Sequence, residues 1–213
     1  APIAWPDRDW LAGQHRPVRL QIVAHVLQAA TDSGDPELMQ AITRAREHLA
    51  PPVERHREDL MILGAIGRAL ALGGRLEQAA STLLDAIDGW RGIRRIHEAS
   101  YALSECLRVL GLLQRPDDLR VLLDGHAAAL LRHPEAAPLS RCFVALAAAR
   151  GLIEAQRPVE GMAWLELQCL QGLHQHGDLR LTLMCLPWDM SCLEGESLPI
   201  RQEDSLCRDL EPG

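Results

Sequence analysis

Apolar residues recur every three or four positions along most of the chain, and the runs come in pairs. One run holds Leu60, Leu63, Ile66, Leu70 and Leu72. The next holds Leu76, Ala79, Ala80, Leu83, Leu84 and Ile87. This spacing gathers the apolar side chains on one face of a helix. Gly73 and Gly74 divide the two runs. Two adjacent glycines inside a helix would cost about 2 kcal/mol, so a turn is the cheaper reading. The stretch predicts two helices folded back on each other as a hairpin.

The same layout recurs along the chain. Pro36-Glu37, Pro116-Asp117 and Pro158 with Glu160 each follow a turn signal and precede an apolar run; in the central unit the corresponding pair is Leu76-Glu77. Proline at the first helical position has its φ pre-set and lacks only an amide that would be unpaired there. An acidic residue faces the positive end of the helix dipole. These starts at 36, 76, 116 and 158 give steps of 40, 40 and 42. A fixed period of this size predicts an array of helical hairpins, each stabilised by its neighbours. First helices are expected over 17–31, 57–72, 95–113 and 138–155, and second helices over 36–49, 76–89, 116–132 and 158–172. Pro51-Pro52, Arg91-Gly92 and Pro134–Pro138 should join successive units.

The predicted fold is therefore all-α: a right-handed α-solenoid of about four hairpins over residues 17–172, with a capping segment at 1–16 and an extension at 173–213. Trp5 and Trp10 are expected to cover the open end of the first hairpin. The extension, rich in Pro, Gly and acidic residues, has three expected roles: capping the last hairpin, lying in the groove, or belonging to a neighbouring copy. Solenoid ends need covering, so a homo-oligomer through the ends or the tail is a further expectation.

Composition agrees with helices. Of the 213 residues 47% are hydrophobic but only 3% aromatic, so the core must be built from Leu, Ala, Val and Ile. Leu and Ala favour helices, whereas strand-rich chains lean on aromatic and β-branched residues. The chain has no Lys and no Asn, and all 22 of its Lys-or-Arg positions are Arg. Both missing residues have AT-rich codons, which points to a GC-rich genome. The net charge of −7, with no basic cluster beyond Arg91–Arg95, argues against direct binding of nucleic acid. No apolar run approaches the roughly 18–20 residues that span a bilayer, so no membrane partner is expected. No signal peptide is visible, and the cytoplasm is the expected compartment, although a mature chain with its signal removed would look the same.

The residues of the central unit carry a resemblance. Gly67, Leu70, Gly74, Ala79, Leu83 and Ala86 match the small, turn and apolar positions of the tetratricopeptide (TPR) pattern. The third unit matches in part through Leu107 and Gly111, while Pro116 and Arg120 depart from it. The chain thus resembles the TPR family over roughly residues 17–172, with a longer period than the family's usual value of about 34 residues. Lengthened repeats of this kind occur in sensor and scaffold regions of large bacterial regulators.

TPR arrays bind extended peptides or helices along a concave face lined by their first helices. The resemblance therefore implies Arg68, Glu98, Tyr101, Glu105, Arg108 and Arg150 as groove residues and a protein or peptide as partner. The plainer alternative is a solvated face with ordinary charge pairs three or four residues apart. The variety of TPR that clamps acidic chaperone tails uses Lys and Asn, which this chain lacks.

Candidate chemistry is sparse. His174 and His176, near Cys169 and Asp178, form the densest cluster, but an H-x-H pair does not place both rings on one helix face, and a surface turn is the expected reading. His126 and His133 lie seven apart on one predicted helix without a partner signal. Cys106, Cys142 and Cys169 fall in apolar helical stretches and are expected to be small buried hydrophobes. A structural disulfide, if any, is expected within the tail. The chain carries no G-x-S-x-G, Walker loop or H-E-x-x-H. The leading expectation is a non-catalytic protein- or peptide-binding scaffold with no cofactor and no metal. The alternative is a regulatory sensor domain that binds a small ligand, and a helical enzyme or metal protein built on the His174/His176 turn is a third class.

Overall fold

The structure, a computed structural model, describes residues 3–133 and 136–176, with 138–139 and 168–176 described by backbone alone. The described residues are helical and contain no strand. A short helix α1 (Arg8–Ala12) is followed by α2 (Arg16–Asp32), α3 (Leu38–Arg46), α4 (Arg57–Leu72), α5 (Leu76–Gly92) and α6 (Ile96–Leu112). Then come α7 (Pro116–Leu122), a wide π turn at Leu123–Ala127, α8 (Ala128–Arg132), α9 (Pro138–Glu154) and α10 (Pro158–His176).

Five turns share one geometry. Arg75 N–H bonds the Leu70 carbonyl at 2.8 Å and Gly74 N–H bonds that of Ala71 at 3.2 Å. The same two bonds, spanning five and three residues, recur at Asp35 and Gly34, Arg95 and Arg94, Arg115 and Gln114, and Arg157 and Gln156. This is the Schellman closure, which needs a left-handed residue just past the helix. Gly34 and Gly74 supply it without a Cβ penalty, at φ of 64° and 73°. Arg94, Gln114 and Gln156 adopt it at 57°, 52° and 61° despite their side chains.

Boundaries depart from the sequence pattern in two places. Helix α3 starts at Leu38, not at Pro36, because the Asp35 carboxylate accepts the Glu37 N–H at 2.8 Å and holds an extra turn there. The helix predicted over 116–132 is interrupted by the π turn that contains Gly125. Glycine is among the residues least favourable to a regular helix, so the wider turn is accommodated where the regular one is weakest.

Packing follows chain order. Helix α4 packs on α2 and α5, α5 on α6, α6 on α9, and α9 on α10. Leu20, Leu27, Ile62, Ile66, Leu83 and Leu107 are among the fully enclosed side chains of a single core. Glycines set the closest approaches. A Cβ on Gly67 would lie 2.5 Å from Leu83 Cγ, and one on Gly111 would lie 2.5 Å from the Gly151 carbonyl oxygen. Helices α6 and α9 therefore cross backbone to backbone. Ion pairs bridge successive pairs on both sides: Arg68 to Asp32 at 3.0 Å and Arg57 to Glu98 at 3.8 Å join first helices. Arg115 to Glu77 and Arg120 to Glu160, both at 2.8 Å, join second helices. Such exposed pairs contribute little free energy; their value is in register.

At the N-terminus, Trp5 packs against the core with Arg44 6.0 Å above its ring. Trp10, by contrast, is 53% exposed, because Asp7 caps α1 and turns Leu11 inward instead. An ion pair between partly exposed Arg16 and buried Asp59 ties this end to the second pair. Asp59, with no exposed surface, accepts from Arg16 at 2.7 Å, from Ala50 N–H at 3.0 Å and from His56 N–H at 2.9 Å.

Candidate functional site

Four of the six expected groove residues come from α6, and the other two from α4 and α9. Along α6, Glu98, Tyr101, Glu105 and Arg108 fall within about one third of the helix circumference, since residues advance about 100° each at 3.6 per turn. Ile96, Ala99 and Leu103 occupy the opposite side and meet α5 and α8.

Tyr101 is 46% exposed. Its ring meets His97 edge-on at 4.9 Å and Phe143 of α9 at 5.8 Å. The His97 ring is anchored by a 2.7 Å hydrogen bond between Nδ1 and Ser140 Oγ, and Ser140 is fully buried on α9. The chain has one Tyr and one Phe, and they lie side by side on one surface. Aromatic pairs in such tilted arrangements gain about 0.5–1.5 kcal/mol beyond area burial. Here both rings nevertheless keep four-tenths or more of their surface in solvent.

The charged residues are each engaged locally. Arg108 donates to Glu105 at 2.9 Å, Arg150 to Glu154 at 3.0 Å, and Arg68 reaches across to Asp32 at 3.0 Å. Glu98 faces Arg57 of α4. The structure brings Tyr101, Glu105 and Arg108 to one stretch of α6. Arg68 and Arg150 are instead paired with Asp32 and Glu154. Arg68, Arg108 and Arg150 do share one repeat position, separated by the steps of 40 and 42. Each is the last residue of a stripe that begins two turns earlier at Met61, Tyr101 and Phe143.

Phe143 and His97 are the members that sequence reasoning missed. The signal for Phe143 was present: it stands one repeat step beyond Tyr101. His97 carried none, because its role depends on Ser140, 43 residues away.

Other candidates resolve differently. Cys106 is enclosed, and burial pushes its thiol up to about 12, so it is an inert core residue. Cys142 is only partly buried, not enclosed as the apolar stretch suggested. His174 and His176 lie on the last turns of α10 and not in a surface turn, which keeps their Cα positions about 200° apart around the axis. Asp178 and the tail cysteines Cys185, Cys192 and Cys207 lie outside the described residues, as does the whole of 177–213. Among the described residues no group of three His, Cys, Asp or Glu could hold a metal ion. Nor is any helix among them long and apolar enough to cross a membrane.

The chain matches no family model, no curated protein and no solved structure.

Proposed function

We propose that this chain is a non-catalytic module that binds a protein or peptide along the first-helix face of a right-handed solenoid of four TPR-like hairpins. The observation that carries the proposal is the exposed aromatic pair Tyr101–Phe143, in a chain otherwise free of Tyr and Phe. A tyrosine presents an apolar ring and a hydroxyl at low conformational cost, and such residues are enriched where binding energy concentrates. Arg108 and Arg150 stand two turns along their helices, about 10 Å from the aromatic positions. A partner with an apolar side chain and a carboxylate about that far apart would be matched by one ring row and one arginine row. The carboxylate would compete with Glu105 or Glu154, which pair with these arginines from three and four residues away on the same helices. The solenoid reading is supported by the repeated Schellman turns and by ion pairs that join first helices to first and second to second.

The test is pull-down from the source organism with mass spectrometry, run in parallel with the Tyr101→Ala/Arg108→Glu double variant. Both positions are partly exposed, so the melting temperature should stay within a few degrees of the parent. The variant should lose the captured partner. Intact folding with undiminished capture would remove this face from consideration.

A further inference from the structure

On the far side of α6 from Tyr101, a cleft of about 120 Å³ opens between α5, α6 and the segment from the π turn to His133. Its floor is apolar: Ile87 of α5, Ala99 and Leu103 of α6, and Leu130 of α8. Its mouth holds Arg91, His126 and His133. The volume is close to the ~150 Å³ of an apolar cavity able to hold a benzene ring, so about six non-hydrogen atoms fit.

The chemistry of the mouth is directional. Arg91 Nη1 lies 2.8 Å from His126 Nδ1. A guanidinium can only donate, so Nδ1 accepts, and the proton of the neutral imidazole resides on Nε2. Burial and the adjacent Arg91 charge lower the His126 pKa, against an opposing pull from Asp88, which keeps the ring neutral near pH 7. Asp88 is 4.0 Å from Nε2, beyond hydrogen-bond range, and its side chain is 71% exposed. The mouth therefore presents the remaining Arg91 N–H groups above an apolar floor, with His126 Nδ1 holding the guanidinium in place and its Nε2–H turned away toward the side of Asp88. Arg91 belongs to the Arg91–Arg95 run, the chain's densest basic stretch. The π turn places His126 here. An extra residue in the turn shifts the following side chains around the helix, and such turns recur at functional sites.

We propose that this cleft binds a small monocarboxylate with a short aliphatic chain, its carboxylate on Arg91, which His126 holds in place, and its tail against Leu103 and Leu130. A butyrate-sized acid has six non-hydrogen atoms and matches the available volume. The site is separate from the proposed peptide face, because Ala99 and Leu103 lie on the opposite side of α6 from Tyr101 and Arg108.

The experiment is a titration of the full isotope-labelled chain with butyrate, followed by amide NMR shifts. Shifts should cluster at Ala99, Leu103, Ala129 and Leu130. Butyramide, which lacks the charge, and inorganic phosphate, which lacks the tail, should each bind about tenfold more weakly or worse. Arg91→Gln should weaken butyrate about tenfold or more, and Ala129→Leu, at the exposed rim, should block it. Both sites are at or near the surface, and an unchanged spectrum elsewhere would show that each variant folds. Equal binding of butyrate and butyramide would overturn the carboxylate role of Arg91. Equal binding of butyrate and phosphate would overturn the apolar floor. Absence of shifts at these four amides would overturn the site.

Discussion

Asp59 shows how much one residue can carry. It is enclosed, yet ionised. Burial pushes its carboxyl up, but hydrogen bonds from the Ala50 and His56 amides and from Arg16 outweigh this and hold it below the usual carboxylate range. A carboxyl whose folded pKa is depressed contributes stability that is fully present above its unfolded value, near 3.8. That contribution disappears as pH falls through the folded value. The protein should therefore lose stability progressively as pH drops below about 5. Asp59→Asn should lower neutral-pH stability by about 3 kcal/mol, because it leaves Arg16 and two amides poorly matched. It should also flatten this acid-side slope. Urea unfolding over that pH range checks both, and parallel profiles for parent and variant would assign the acid sensitivity elsewhere. The local sequence marks Asp59 only as an acidic residue in the first turn of α4, where it caps the His56 amide; its other partners Arg16 and Ala50 lie 43 and 9 residues away.

At the scale of elements, the α6–α9 crossing is the contact on which the candidate site depends. A Cβ on Gly111 would meet the Gly151 backbone at 2.5 Å, and one on Gly151 would meet the Leu107 carbonyl oxygen at 2.6 Å. Backbone cannot move aside as the end of a side chain can. Gly111→Ala should therefore destabilise by about 1–3 kcal/mol, despite the better helix propensity of alanine. It should also force the helices apart and weaken the Tyr101–Phe143 contact. Thermal unfolding measures the first effect, and aromatic proton contacts in NMR measure the second. A neutral or stabilising result would mean that α6 and α9 are farther apart than this crossing requires. Gly111 was legible in the sequence as a repeat position, but its reason was not. The pattern expects a small residue, whereas the structure shows that the small residue admits another helix's backbone.

For the whole molecule, α6 separates two surfaces of different character. One holds exposed rings and locally paired charges, and the other an apolar cleft with a mouth of donors. Two sites on opposite sides of one rigid helix should behave independently, because variants with no shared contacts add. Tyr101→Ala/Arg108→Glu should leave the butyrate shifts intact, and Arg91→Gln should leave partner capture intact. If either variant abolished both functions, the two surfaces would be coupled through α6.

What the sequence determined by itself is the succession of helices, their pairing about turns, and the 40, 40, 42 spacing. These are local properties. An apolar stripe acts over three or four residues, and a Schellman turn over six, so each was visible within a short window. The departures were also local, at the Asp35 turn and the π turn around Gly125, where a side chain or a glycine displaced the regular pattern. Tertiary structure decided what meets across the repeats. Tyr101 joins Phe143, His97 joins Ser140, and Arg91 joins His126, over separations of 42, 43 and 35 residues. Those meetings depend on the depth and angle of helix crossings. The crossings are fixed by glycine contacts and core shape, which no short window of sequence encodes.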